Sequence, residues 1–248
     1  MRQVYADTAA TTRPAPEVVA AMLPYLGDAF GNASSVHRRG EAAREAVELA
    51  RVEVARLVAA QPEEIVFVAT GSEANNLALR GVLAAREGRT RLVVSAIEHD
   101  SVLACARQLE REGVPVTVVP VKPNGMVDPE ALQDALGDDV ALVSVMHVNN
   151  ETGVIQPLED LGARVKACGA RFHVDAVQGA GKLTIAVDAW QADLVSLAAH
   201  KYHGPLGAAA HPGRGSVRFT GAIDRRAGKH QRRTGRLPRG PAPGRHHR

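Results

Sequence analysis

Aromatic side chains are scarce: Phe, Tyr and Trp make up 3% of the 248 residues. That leaves little material for the stacking platforms that hold single-stranded nucleic acid. Cysteine is rarer still, with Cys105 and Cys168 far apart and in no C-x-x-C pattern. A disulfide framework and a zinc site are therefore not indicated, and a reducing compartment fits. No stretch approaches the roughly 18 uninterrupted apolar residues of a membrane helix, and residues 1–12 lack the apolar run of a secretory signal. These absences lead to the expectation of a soluble, cytoplasmic protein with no membrane partner.

What is present is a globular balance, 45% hydrophobic and 23% charged, which requires a packed core. The net charge of +3 conceals a division. Residues 212–248 hold ten Arg and one Lys against one Asp, with seven Gly and four Pro, so the preceding part of the chain is net negative. A segment this basic, with no apolar periodicity, reads as a disordered tail. Contact with nucleic acid or an acidic surface is its alternative use. The expected organisation is one large domain over 1–211 and this tail over 212–248.

Within the first part, apolar runs of strand length alternate with segments of helical period, the pattern of βαβ units. Strands are expected at Glu64–Val68, Leu92–Ile97, Val116–Val119, Ala141–Met146, Arg171–Asp175 and Asp193–Leu197. Helices are expected at Pro16–Leu26, Val36–Ala60, Ser72–Glu87, Ser101–Gly113, Pro129–Leu136 and Leu158–Cys168. Near-continuous apolar strands such as Ala141–Met146 imply burial on both faces. The fold class is thus α/β, a mainly parallel sheet with helices on both faces.

Ligands of such sheets gather beyond the carboxyl ends of the strands. Here those ends are polar: Thr70-Gly71-Ser72 after one strand, Glu98-His99 after the next, then Asn149-Asn150-Glu151, Asp175 with Gln178, and His200-Lys201. Gly71 and Ser72 open a helix, where free N–H groups can hold a phosphate or serve only as a cap. Asp175 is a carboxylate at the ligand edge, fit either to cap the next segment or to hold a protonated ring nitrogen such as that of pyridoxal 5'-phosphate (PLP). Lys201 is either a surface lysine or a desolvated amine suited to Schiff-base chemistry.

With these residues the sequence resembles the cysteine desulfurases, in the class-V aminotransferase-like branch of the fold-type I PLP enzymes. The resemblance rests on Asp7-Thr-Ala-Ala-Thr-Thr12, Gly31-Asn-Ala-Ser-Ser35, Glu64-Ile-Val-Phe67, Ser72-Glu-Ala-Asn-Asn-Leu77, Glu98-His99, His147-Val-Asn-Asn-Glu-Thr-Gly153, His173-Val-Asp-Ala-Val-Gln178 and Ala199-His-Lys201. It implies that Lys201 holds PLP covalently and carries the proton, that His99 stacks on the pyridine ring, and that Asp175 pairs with the ring nitrogen. Gln178 and Asn150 would lie near the ring hydroxyl and substrate, and Gly71, Ser72 and His200 would hold the phosphate. The implied reaction converts L-cysteine to L-alanine and passes the sulfur to an acceptor or scaffold protein, for iron-sulfur cluster assembly or thiolation, in a homodimer.

The sequence also departs from the family. Ala198 stands where a serine is usual. The likeness ends after Gly207, before the smaller C-terminal domain with its nucleophilic cysteine loop and carboxylate-binding arginine, so a truncated chain with impaired turnover is expected. Cys105 and Cys168 fall on helices and read as packing residues. Competing readings are a non-catalytic PLP-binding remnant or interaction protein with a basic tail, and a related class-V enzyme such as a selenocysteine lyase or an aminotransferase.

Overall fold

Val140–Met146, apolar but for Ser144, becomes a strand with every residue buried. It is β4 of a sheet whose other strands are β1 (Ile65–Val68), β2 (Arg91–Ser95), β3 (Val116–Val119), β5 (Arg171–Asp175), β6 (Leu194–Ala198) and β7 (Ala209–Pro212). A computed structural model gives this fold; it describes residues 4–85 and 88–206, and the backbone of 209–212. The strand order is β1-β7-β6-β5-β4-β2-β3. Strands β2 to β6 run parallel, whereas β7 pairs antiparallel with both β6 and β1.

Side-chain alternation along the strands divides the core into two layers. Leu92, Val94, Leu142 and Leu194 face α3 (Gly71–Ala85) and α4 (Asp100–Arg111), meeting Leu79, Leu83, Val102 and Leu109. Val93, Val143, Phe172, Val174 and Val195 face the other way, toward α5 (Pro129–Ala135) and α6 (Leu158–Cys168), against Leu132, Leu161 and Val165. Complete burial of each such side chain contributes roughly 1.5–3 kcal/mol, so this double layer holds the sheet. The start of the β5–β6 pair is pinned by Asp193, which accepts from the Phe172 N–H at 2.9 Å and from Arg171 at 2.8 Å.

The helix starts follow from capping residues. Thr70 Oγ1 accepts from Glu73 N at 3.0 Å while Glu73 accepts from Ala69 N at 2.7 Å, a reciprocal pair that opens α3. Asp128 caps α5, and Gly169, in the left-handed region at φ 76°, ends α6. Two further helices precede the sheet. In α1 (Pro16–Leu26) no residue is buried, and α2 (Arg38–Leu57) buries only Gly40 and Ala55.

The six expected strands and six expected helices are all present. The β2 expectation ran to Ile97, but the chain turns after Ser95. The helix expected over Val36–Ala60 starts later, where His37 Nδ1 accepts from Gly40 N. The sequence reading missed β7, because Ala209-Ala-His-Pro212 has no apolar alternation. That strand crosses the boundary drawn at 211/212 from composition. The rest of the proposed basic tail lies outside the described residues.

Among the parallel strands, chain order reverses between β2 and β4, since β3 lies outside β2 and the next strand returns past it. A crevice opens beyond the carboxyl ends at such a point.

Candidate functional site

The crevice is a cavity of about 280 Å³. Gly71, Ser72, His99, Asn150, Asp175, Gln178, His200 and Lys201 all line it, so every site residue expected from the sequence is brought to one place. They come from the start of α3, the β2–α4 turn, and the segments that follow β4, β5 and β6.

Asp175 ends β5 and is 4% exposed. Its Oδ2 accepts from Asn75 Nδ2 at 2.7 Å and its Oδ1 from Val177 N at 3.0 Å. Burial pushes its carboxyl above the ordinary range, while the Asn75 and Val177 hydrogen bonds and the charges of His99 and Lys201 pull it down. A buried carboxylate of this kind gains most from a cationic N–H partner. Asn75 was not picked out individually from the sequence. Its position on the helix that opens at Gly71, inside the Ser72–Leu77 motif, was the available signal. A second donation from Asn75 Nδ2, to Ser101 Oγ at 2.9 Å, ties α3 to α4.

Lys201 is half-buried on the single 3-10 turn Ala199–Lys201 that follows β6. Its Nζ donates to the carbonyls of Ala9 at 2.6 Å and Ala10 at 2.8 Å. Burial lowers its pKa first and the Lys182 ammonium next, against the opposing pull of Asp175 and Asp7. The lowering raises the fraction of neutral, nucleophilic amine. The carbonyls belong to an N-terminal strap that clasps this turn. Thr12 donates to the His200 carbonyl through N at 2.7 Å and Oγ1 at 2.9 Å, and its Oγ1 accepts from His203 N at 2.7 Å. Gln178 Nε2 reaches the same Ala9 carbonyl at 2.7 Å.

At the opposite wall, the N–H groups of Gly71 and Ser72 lie in the first turn of α3, where no carbonyl one turn back is available to them. A Cβ on Gly71 would sit 3.1 Å from Val177 Cγ2 and 3.3 Å from Ala198 Cβ, a tight fit that would push those side chains by a few tenths of an ångström, so glycine suits the close approach of helix and sheet. His99 caps α4 by accepting from Ser101 N at 3.1 Å, and it is exposed to the cavity. Asn150 donates to Glu151 at 2.6 Å. His200 bonds to Thr11 Oγ1 through Nδ1 at 3.1 Å, and burial, then the Lys201 charge, lowers its pKa.

The residues fit PLP on three features of the cavity. It contains a buried carboxylate without an ion-pair partner among the described residues, an amine of lowered pKa, and a free helix N-terminus. In addition, Asn75 Oδ1 is buried without a hydrogen-bond partner. Ala198 lines the wall as a methyl group where a hydroxyl was expected from the family pattern. Neither cysteine lines this cavity. Cys105 is 5% exposed in the α3–α4 layer, and burial pushes its thiol pKa up despite Arg80.

Residues 4–217 match the family described as aminotransferase class-V, a span covering most of the chain. The chain belongs to the class-V aminotransferase family. That match continues past Gly207, where the likeness was expected to end. The class-V chain is 46% identical over 234 residues to a cysteine desulfurase of Cereibacter sphaeroides, covering 94% of this chain and 60% of that protein. It is 47% identical over 209 residues to the cysteine desulfurase IscS of Anaeromyxobacter sp. (strain Fw109-5), covering 84% and 52%. Among solved structures, a NifS-like protein superposes with a TM-score of 0.86 at 36% identity, covering 90% of this chain and 62% of the other. A structure described as SspA in complex with cysteine gives 0.82 at 39%, covering 86% and 61%. The chain therefore spans 52–63% of the length of the curated relatives it matches. Among the described residues, no helix is long and apolar enough to cross a membrane.

Proposed function

We propose that this chain is the PLP-binding large domain of a cysteine desulfurase, in which L-cysteine is converted to L-alanine while its sulfur passes to a protein thiol as a persulfide. The observation that carries the reading is the shared cavity of Asp175 and Lys201, one a buried acid and the other an amine of lowered pKa. The relatives named cysteine desulfurase support the choice of substrate.

When bound, PLP supplies an electron-withdrawing ring that labilises the bonds at the α-carbon of an amino acid. Lys201 would hold it covalently through Nζ, and the same amine, once released, takes and returns the α-proton. Asp175 would hold a proton on the ring nitrogen through its carboxylate. Gly71 and Ser72 N–H groups, with His200, would bind the phosphate. His99 would cover the ring face, and Asn150 and Gln178 would lie beside the ring hydroxyl and substrate. Lys201 must leave the Ala9 and Ala10 carbonyls to act, so the strap sets its resting position.

The accepting thiol in this proposal is supplied from outside the described cavity, because Cys105 and Cys168 do not line it. Sulfur delivery to acceptor or scaffold proteins for iron-sulfur cluster assembly, a cytoplasmic location and a homodimeric enzyme complete the reading. The organisation as one domain, its C-terminal limit moved past β7 at Pro212, followed by a basic tail, is part of the same proposal. The test is to load purified chain with PLP and follow exchange of the cysteine α-proton with deuterated solvent by NMR. Exchange that disappears in Lys201→Ala supports the reading; equal exchange in both proteins refutes it.

A further inference from the structure

Four neighbouring strands carry a line of buried polar side chains where a parallel sheet is ordinarily apolar. Ser95, Glu98, Ser144, His173 and Ser196 are each 5% exposed or less. Glu98 Oε1 accepts from Ser95 Oγ at 2.5 Å and from Met146 N at 2.6 Å. Its Oε2 lies 3.3 Å from Ser144 Oγ, which lies 2.9 Å from His173 Nδ1; His173 Nε2 then meets Ser196 Oγ at 2.9 Å. The functional reading leaves these groups without a role.

Glu98 bridges two edges of the cavity. It follows the end of β2 and directly precedes His99, while its Oε1 holds the Met146 N–H at the end of β4. Asn149 Nδ2 closes the same gap by donating to the Ile97 carbonyl at 3.0 Å. Met146, Asn150 and His99 all line the cavity. None of the ion pairs among the described residues includes Glu98. From β5, Asp175 acts on it through its charge and His173 reaches it through Ser144, while His99 stands next to it on its own turn. A second carboxylate charge buried beside Asp175 would be repelled and unsolvated. A protonated Glu98 meets no such obstacle: Oε2 donates to Ser144, Ser144 donates to His173 Nδ1, and His173 Nε2 donates to Ser196. Every partner is then satisfied without a net charge.

We propose that Glu98 is a positioning residue that works as a neutral acid, locking the end of β2 to the end of β4 so that His99 and the Met146–Asn150 segment are fixed on the cavity wall, and leaving the negative charge to Asp175. Burial, with Asp175 adding to it, pushes the Glu98 pKa up to about 8 against its hydrogen bonds, in agreement with this assignment. The charge state stands independently of the cofactor reading; the role in placing His99 rests on it.

Two measurements separate those claims. The first is thermal unfolding of the chain without PLP from pH 5 to 8, for wild type and Glu98→Gln. The folded protein keeps a proton that an unfolded glutamate gives up above pH 4.5, so this group's contribution to stability falls as pH rises toward 8. Glutamine reproduces the neutral donor and acceptor and cannot titrate. The variant should fold and gain Tm relative to wild type as pH rises, since Asp175, His173 and His99 are common to both. A Tm difference independent of pH, or a Glu98→Gln chain that does not fold, overturns the proposal. The second measurement is PLP affinity and the pH midpoint of the bound chromophore. Glu98→Gln should hold the midpoint within about 0.3 unit, whereas Glu98→Ala should weaken PLP binding about ten-fold or more. A midpoint displaced by a full unit in Glu98→Gln, or equal affinity in Glu98→Ala, contradicts positioning by a neutral acid. Should wild type itself bind no PLP, the cofactor reading and the placing role fail together while the unfolding series still decides the charge state.

Discussion

Asp175 closes β5 between two parallel neighbours, and both its carboxylate oxygens accept hydrogen bonds from the protein. Lys201, across the same cavity, sits on one short turn, and its ammonium is held by main-chain carbonyls from a strap 191 and 192 residues earlier in the chain. The acid is thus anchored by the packed sheet and the amine by a surface clasp. The difference has a chemical sense. A group that must present one fixed charge gains from a rigid, buried seat, whereas a group that must exchange partners during a reaction needs contacts it can release.

The sharpest way to break the comparison is to damage the sheet beneath the acid. Phe172→Ala, at a side chain 1% exposed, should cost about 3–5 kcal/mol of unfolding free energy in urea titrations and take PLP binding down with it. A loss below 1 kcal/mol would mean the β5 seat is not rigid.

A pH effect distinguishes the same side. His147 packs against Trp190 with ring centroids 4.6 Å apart, its Nδ1 has no partner, and burial lowers its pKa from 6.5 to about 4. The unfolded state binds this proton first, so its contribution to stability is complete above pH 6.5 and is lost as pH falls toward 4. His147→Leu should flatten the acid side of the Tm profile in that window; an unchanged profile would show that the ring is protonated in the fold.

Much of this arrangement was legible in the sequence, for identifiable reasons. Ala141–Met146 announced itself as a buried strand because it is apolar but for Ser144, and Arg171–Asp175 through its apolar Phe172 and Val174, so the polar residues at their ends could then be placed at one edge. Asn75 and Glu98 were harder to assign, since a polar residue early in a helix or after a strand ordinarily reads as solvated. Only the tertiary contacts reveal that Asn75 braces Asp175 from 100 residues away. The strap was quoted as a motif, yet its grip on Lys201 depends on main-chain carbonyls, which carry no sequence signature. The antiparallel strand β7 escaped for want of any pattern in Ala209–Pro212.

Finer substitutions separate the two anchors. Asn75→Ala removes a donor from a buried carboxylate and should cost about 1–3 kcal/mol, with reduced PLP occupancy. Thr12→Val cuts that residue's two side-chain hydrogen bonds, to the His200 carbonyl and from His203 N, and should cost about 1 kcal/mol while weakening PLP binding. If Thr12→Val proved as destabilising as Phe172→Ala, the strap would belong to the core and the contrast would collapse. Smallest of all, Lys182→Met removes a charge that lowers the Lys201 pKa, so the pH midpoint of the lysine adduct should rise by a few tenths of a unit. A fall would assign Lys182 a different role.

The central claim, that Lys201 and Asp175 together form a PLP seat, is tested most directly by borohydride trapping. Purified chain is saturated with PLP, reduced, digested and mapped by mass spectrometry, alongside Asp175→Ala. The account predicts a stable pyridoxyl adduct on Lys201 in the wild type and a much reduced yield in the variant. An adduct spread over surface lysines, or equal labelling of Lys201 in both proteins, would contradict it.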